Sequence, residues 1–445
     1  MTPIGNELVS AAPPAPAPAS PRAAWIDFIL VPALTMSLAW GLRGFIGGGS
    51  LGAMIPGALV ALTLARALGL PGELSGRLVA FGAIGIGFGG QETYGQTVGL
   101  VANSETLYWR SVIGLGVKGA TWGFLGGAVL GLGAVTGSIP RRHTVVGLLL
   151  LVAGTWLGWR TIDEPKVLYF SNLLDRPRAE LWAGLLTGGM VLILWIRSVA
   201  RPVLPILLRL AFLGALGGGI GFALGGIINA AGLSLGWSAK WYPGWKIMEF
   251  TFGLLLGAGL GWAAYLERAA IQRWLQATPS PLPFERSTAW AFLSAATGAA
   301  VIIGSTQLPV RFSYTIGGVV LLLLALFSER AAWQLALTVT AGAFLLYVGK
   351  FFTQNHPGTH PALATSVALV ITAAFCAGVS RRHASGQDMI TWSLHALLGT
   401  SVAAALAHGF WHVTISLSLT IILVTFVALT GGITWLVYPR RKAGA

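Results

Sequence analysis

Glu92 and Glu249 are the two carboxylates that fall well inside long apolar runs. Arg43, Arg110, Lys118 and Lys246 are the cations that share such runs. An ionisable side chain in an apolar helix is costly, so it is expected to face a partner or a wetted cavity. Three chemistries fit such a group: a proton-linked carboxylate whose charge switches as a cavity opens, a general base, or one half of a structural ion pair. The densest polar patch is GGQETYGQ, residues 89–96, which holds Gln91, Glu92, Tyr94 and Gln96. On a continuous helix Glu92 and Gln96 are i,i+4 and share a face, with Gln91 and Tyr94 close beside them. The flanking glycines also suit a broken helix, whose freed backbone groups are tolerated only beside protein or a cavity. Arg43 is the expected partner of Glu92, and Lys246 or Lys118 that of Glu249. Arg43, Lys118 and Lys246 would attract an anionic or strongly polar solute, and Asn229 adds a further polar group.

Neither metal nor cofactor is expected. His356 and His360 are i,i+4 but have Pro357 between them, and His408 and His412 straddle the end of an apolar run. Neither pair has an acidic or cysteine ligand near it in sequence. The single cysteine, Cys376, allows no intramolecular disulfide and no thiolate cluster. The chain has no Walker motif, GxSxG elbow or HExxH motif. The glycine strings GFIGGGS and GGQETYG lack the strand–loop–helix setting of a phosphate loop.

The elements that must position these groups follow from composition. The chain has 445 residues, of which 55% are hydrophobic and 9% charged; its mean hydropathy is +0.75. Soluble domains carry about 25% charged residues, so this surface is not built for water. The fold class is an all-α polytopic membrane protein. At about 20 apolar residues per spanning helix, the chain holds about 14 transmembrane helices. They lie near 25–45, 50–69, 77–101, 108–135, 144–161, 181–198, 203–233, 244–266, 288–306, 312–328, 331–349, 361–379, 390–408 and 411–438. Residues 1–22, with AAPPAPAPASP, read as a disordered Pro/Ala-rich tail, and the run after Trp25 reads as an uncleaved anchor. The net charge of +14 reflects basic loops and affinity for anionic lipid, not nucleic acid. Of the 28 Lys and Arg, 17 fall on the side shared by the termini and 10 on the other, with Lys118 inside a span. That excess places both termini in the cytoplasm, in a bacterial cytoplasmic membrane. Many of the 18 tryptophans sit near run ends, as in an aromatic belt.

The chain also resembles itself. RLVAFGAIGIGFG from Arg77 and RLAFLGALGGGIG from Arg209 agree at seven of thirteen positions. Three neighbouring pieces repeat in the same order. This predicts two parallel four-helix repeats, residues 23–143 and 144–268, followed by a C-terminal six-helix bundle over 287–438. Alternating span direction then puts Arg43, Glu92, Lys118, Asn229, Lys246 and Glu249 in the same half of the membrane. Glu92, for example, lies about 22 Å above Arg77 at 1.5 Å per residue.

The expected function is a secondary transporter or permease for a small polar, anionic solute, with Glu92 as the proton-linked group. Its partners are the lipid bilayer and the solute, and homo-oligomer formation is left open. A second expectation is a membrane-embedded transferase acting on a lipid-linked substrate, with Glu92 or Glu249 as general base. A third is a non-catalytic membrane subunit, recognised by a vestibule plugged with side chains.

Overall fold

The computed structural model describes residues 24–46, 48–70, 72–175, 177–237, 242–276, 308–327 and 416–437, with isolated residues between 297 and 402. The described residues form helices and connecting turns, and no strand. A π-helical turn, Ile26–Leu30, leads into α1 (Val31–Ile46). Then follow α2 (Gly49–Ala67), α3 (Gly72–Gly89), α4 (Gly95–Asn103) and α5 (Tyr108–Val135). Next come α6 (Arg141–Gly158), α7 (Trp182–Val199), α8 (Leu204–Ser234), α9 (Gly244–Gln276), α10 (Ser313–Phe327) and α11 (Leu417–Val437). Eight helical segments among the described residues are long and apolar enough to cross a membrane. The spans read at 288–306, 331–349, 361–379 and 390–408, the tail 1–22, Cys376 and the four paired histidines lie outside the described stretches.

Six helices close into a ring. α1 packs on α2, α2 on α3, α3 on α5, α5 on α8, α8 on α9, and α9 returns to α1. Neighbours run antiparallel, because the chain reverses between α1 and α2, α2 and α3, and α8 and α9, and pairs Phe81 with Gly133 and Gly119 with Gly218 elsewhere. The α6–α7 hairpin packs outside the ring, α7 against α5, while α10 sits on α3 and α6, and α11 on α1.

Glycine explains why these helices come so close. Gly119, Gly123 and Gly127 form a stripe of three, one every fourth residue, on α5 that meets the backbone of α8 at Gly218, Gly214 and Leu210; a methyl at any of the three would overlap a carbonyl. On α9, Gly253, Gly257 and Gly261 do the same against Met36, Pro32 and Phe28. In lipid there is no hydrophobic drive between helices, so dense backbone contact supplies the packing energy. The opposite face of α8 presents Leu208, Phe212, Leu216, Ile220 and Leu224, all exposed and spaced every fourth residue. One helix therefore carries a small-residue face for protein and a large apolar face for lipid.

The ring is filled by aromatics. Trp40 on α1 meets Trp122 on α5 and Phe252 on α9, with ring centroids 4.9 and 4.4 Å apart. Phe222 on α8 lies 4.7 Å from Phe252. α1 and α5 are not neighbours in the ring, so the Trp40–Trp122 contact crosses its interior.

The span read at 77–101 is not one helix. α3 ends at Gly89 and α4 begins at Gly95. Both pieces lie along α5: Gly85 meets Val129 near one end and Thr97 meets Lys118 near the other. They are two separate helices joined by the turn at 90–94. The break forms because Gly90 packs against the backbone of Gly49 and Ser50, and Gly89 against the Trp122 ring, where no larger residue fits.

Candidate functional site

The break and its neighbours gather polar groups at one end of the ring. That end holds the C-termini of α1, α3 and α8 and the N-termini of α2, α7 and α9. The loop from Glu164 to Leu181 also lies there. Three residues of the break and the start of α4 are stitched to this loop. Glu92 accepts from the Leu181 N–H. Thr93 donates to the Ala179 carbonyl at 2.7 Å. Gln96 donates to the Asp175 carbonyl at 2.7 Å and accepts from the Asn172 N–H at 3.1 Å.

Glu92 therefore sits in a turn, not on a helix face with Gln96. Its cationic partner is Lys118, not Arg43: the Lys118 Nζ lies 3.1 Å from Glu92 and 2.7 Å from Glu180. Lys118 also donates to the Thr93 carbonyl at 2.6 Å and to Thr97 Oγ1 at 3.0 Å. Glu180 in turn accepts from the Phe170 and Ser171 N–H groups and from the Ser171 hydroxyl. Lys118, Glu92 and Glu180 are all buried. Buried ions persist only when they are paired; each ion of this triad has an ion-pair partner, while Glu92 Oε1 makes no hydrogen bond among the described residues. Arg311 caps the group from the side, donating to the Gln91 and Ala179 carbonyls. Asp163, the last residue of a π-helical turn (Trp159–Asp163) that follows α6, accepts from the Ala183 and Gly184 N–H groups at 3.2 and 2.8 Å. It thereby caps α7 from another helix, where the partial positive charge of the helix N-terminus favours a carboxylate.

A second cluster lies around Tyr94. The Lys246 Nζ is 2.7 Å from Glu249 and donates to the Gly41 carbonyl at 3.1 Å. Trp245 Nε1 donates to the other Glu249 oxygen at 3.1 Å. The Trp245 ring stacks on Tyr94, centroids 6.1 Å apart. Arg43 donates to the Tyr94 hydroxyl at 2.7 Å and, weakly, to the Gly49 carbonyl at 3.4 Å. Its guanidinium faces the rings of Trp40, Tyr94 and Trp122 at 5.2, 5.5 and 5.1 Å. Only 1% of Arg43 is exposed. Among the described residues no carboxylate forms an ion pair with Arg43.

Three of the residues singled out from sequence turn away from both clusters. Gln91 clamps the start of α10: its amide donates to Thr315 Oγ1 at 2.7 Å and accepts from the Thr315 N–H at 3.1 Å. Gln96 faces the loop. Asn229 is buried against Gly244 at the start of α9. Conversely, Glu180, Asp163, Thr97 and Trp122 were not singled out. Glu180 and Asp163 sit at the edges of apolar runs among other charges, where a carboxylate reads as a solvated loop residue. The burial of Glu180 comes from the loop folding back onto the break, and that of Asp163 from its packing against the start of α7. No group of three or more metal-binding side chains occurs among the described residues. No family model, curated protein or solved structure matches the chain.

Proposed function

We propose that the chain is a multi-pass membrane permease for a small anionic solute, with the six-helix ring as its conduit. The observation that carries this reading is the break between α3 and α4 at one end of the ring, beside a buried guanidinium that has no carboxylate partner among the described residues. Discontinuous helices in membrane proteins occur where backbone groups face a site and not lipid. The uncompensated charge sets the sign of the solute. In this reading the aromatic plug of Trp40, Trp122, Phe222 and Phe252 is the closed gate of the conduit.

Glu92 and Glu249 are both ion-paired, so we assign them to holding the break and α9 in place. Neither is then free to act as proton carrier or general base. The same proposal takes up the duplicated pattern, with residues 23–143 and 144–268 as parallel copies within a chain of about 14 spans whose termini are both cytoplasmic. The polar break belongs to the first copy alone: at the Arg77/Arg209 alignment, Leu224 stands where Glu92 does, and α8 runs through unbroken.

The test is uptake of acetate, glycolate, benzoate and inorganic phosphate into proteoliposomes. At least one anion should enter faster than in protein-free liposomes, and Arg43→Gln should slow it at least tenfold. If none enters, the permease reading is wrong. The plug supports a second reading, a sealed non-catalytic membrane subunit, which predicts no flux for any solute.

A further inference from the structure

We propose that Arg43 and the first turn of α2 form an oxyanion site that takes a single carboxylate or phosphoryl group. The inference rests on the permease reading and adds to it the ligand class and the atoms that hold it. The first argument is charge. The ionisable groups of the second cluster are Arg43, Lys246 and Glu249, and Glu249 is already taken by Lys246 and Trp245. Among the described residues one positive charge is left over, that of Arg43, on a side chain that water hardly reaches. Three aromatic faces offset part of the cost of burying it, but they supply no counter-charge.

The second argument is the donor count. A guanidinium has five N–H donors. Arg43 directs one well-placed bond to Tyr94 at 2.7 Å and two long ones to Gly49 at 3.4 Å. A fork is therefore left for a bidentate oxyanion, the geometry at which arginine binds best.

The third argument is position. Gly48 and Gly49 are exposed, and a methyl placed on Gly48 would lie 3.9 Å from Arg43 Nη2. The guanidinium is thus one glycine away from the surface. The same glycines open α2, a 19-residue helix whose N-cap, Gly48, offers no side chain to the free N–H groups of the first turn. Those groups carry partial positive charge and attract an anion. An oxyanion seated here would receive N–H bonds from both the turn and Arg43. Gly90, packed on Gly49 and Ser50, holds the turn at the break. One excess charge suits one oxyanion group.

The full chain, purified in neutral detergent at fixed chloride, is titrated with acetate, with inorganic phosphate and, separately, with phosphatidylglycerol in mixed micelles. Trp40 and Trp122 lie 5.2 and 5.1 Å from the guanidinium, so their fluorescence reports occupancy. At least one probe should give a saturable change. Arg43→Gln should move its midpoint at least tenfold and Arg43→Lys at least threefold, because an ammonium keeps the charge but not the fork. If Arg43→Gln is not monodisperse, Arg43→Lys alone decides. No saturable change with any of the three probes, or unaltered midpoints in the variants, overturns the inference. Binding of free anions without flux in proteoliposomes keeps the site and sinks the permease. An Arg43-dependent response to the lipid alone does the same and identifies a headgroup as the ligand.

Discussion

Lys118→Met removes the cation of the buried triad and leaves an unbranched apolar side chain one atom shorter. At an effective dielectric of about 20, unit charges about 3 Å apart attract by roughly 5 kcal/mol. Lys118 makes two such contacts, at 3.1 and 2.7 Å. Desolvation of three ions and repulsion between the two carboxylates cancel most of that attraction. The substitution leaves Glu92 and Glu180 buried with no ion-pair partner among the described residues, and breaking a buried pair this way costs about 3–5 kcal/mol. Glu92→Gln is milder, because Lys118 keeps Glu180 at 2.7 Å; it should cost about 1–3 kcal/mol. The triple variant Lys118→Met, Glu92→Gln, Glu180→Gln leaves no charge in the triad and should recover part of the loss. Unfolding by dodecyl sulfate in mixed micelles, followed by tryptophan fluorescence, measures all three. If Lys118→Met stays within about 0.5 kcal/mol of the parent, as surface substitutions do, or if Glu92→Gln is the costlier change, the triad is not what holds the break.

Gly123→Val should abolish assembly of α5 on α8, because the side chain meets the Gly214 carbonyl; Gly116, whose nearest neighbour would be 3.8 Å away, should accept alanine and gain about 0.5–1 kcal/mol. Size-exclusion profiles and thermal midpoints separate these two outcomes. Asp163→Ala should cost about 0.5–2 kcal/mol by uncapping α7, seen as faster hydrogen exchange at Ala183 and Gly184; unchanged exchange there would remove the capping role. Trp122→Phe loses the 2.7 Å bond from Nε1 to the Ile86 carbonyl and should lower stability by about 1–2 kcal/mol. A Trp122→Phe protein as stable as its parent would mean that water replaces this bond.

The glycine stripes show how much of the fold was legible in the sequence. Apolar length alone marks α1, α2 and α5 to α9 as helices, since helix formation in lipid needs only local hydrogen bonds. The break at GGQETYG was visible as a polar, glycine-rich gap, yet the i,i+4 reading of Glu92 and Gln96 assumed a helix that the packing of Gly89 and Gly90 interrupts. The loop from Glu164 to Leu181 carried no local sign of its role. Its charges partly neutralise one another on paper, and only its return onto the break buries Glu180.

The sequence by itself determined that the chain belongs in a membrane, and that its scattered ionisable residues gather at one end of the helices. Both follow from composition and from counting residues along alternating directions, which need no contact between distant segments. The i,i+3 pair of Lys246 and Glu249 was legible in the sequence, but which cation meets Glu92, and which backbone groups the cations reach, was decided only by the tertiary structure. Lys118 and Glu180 are 62 residues apart and Lys246 and Gly41 are 205 apart. Pairing at about 3 Å depends on helix rotation and close approach, and depth along a helix leaves both free. Arg43 lost its expected partner for that reason, and its lack of a carboxylate partner among the described residues became apparent only once the helices were in place.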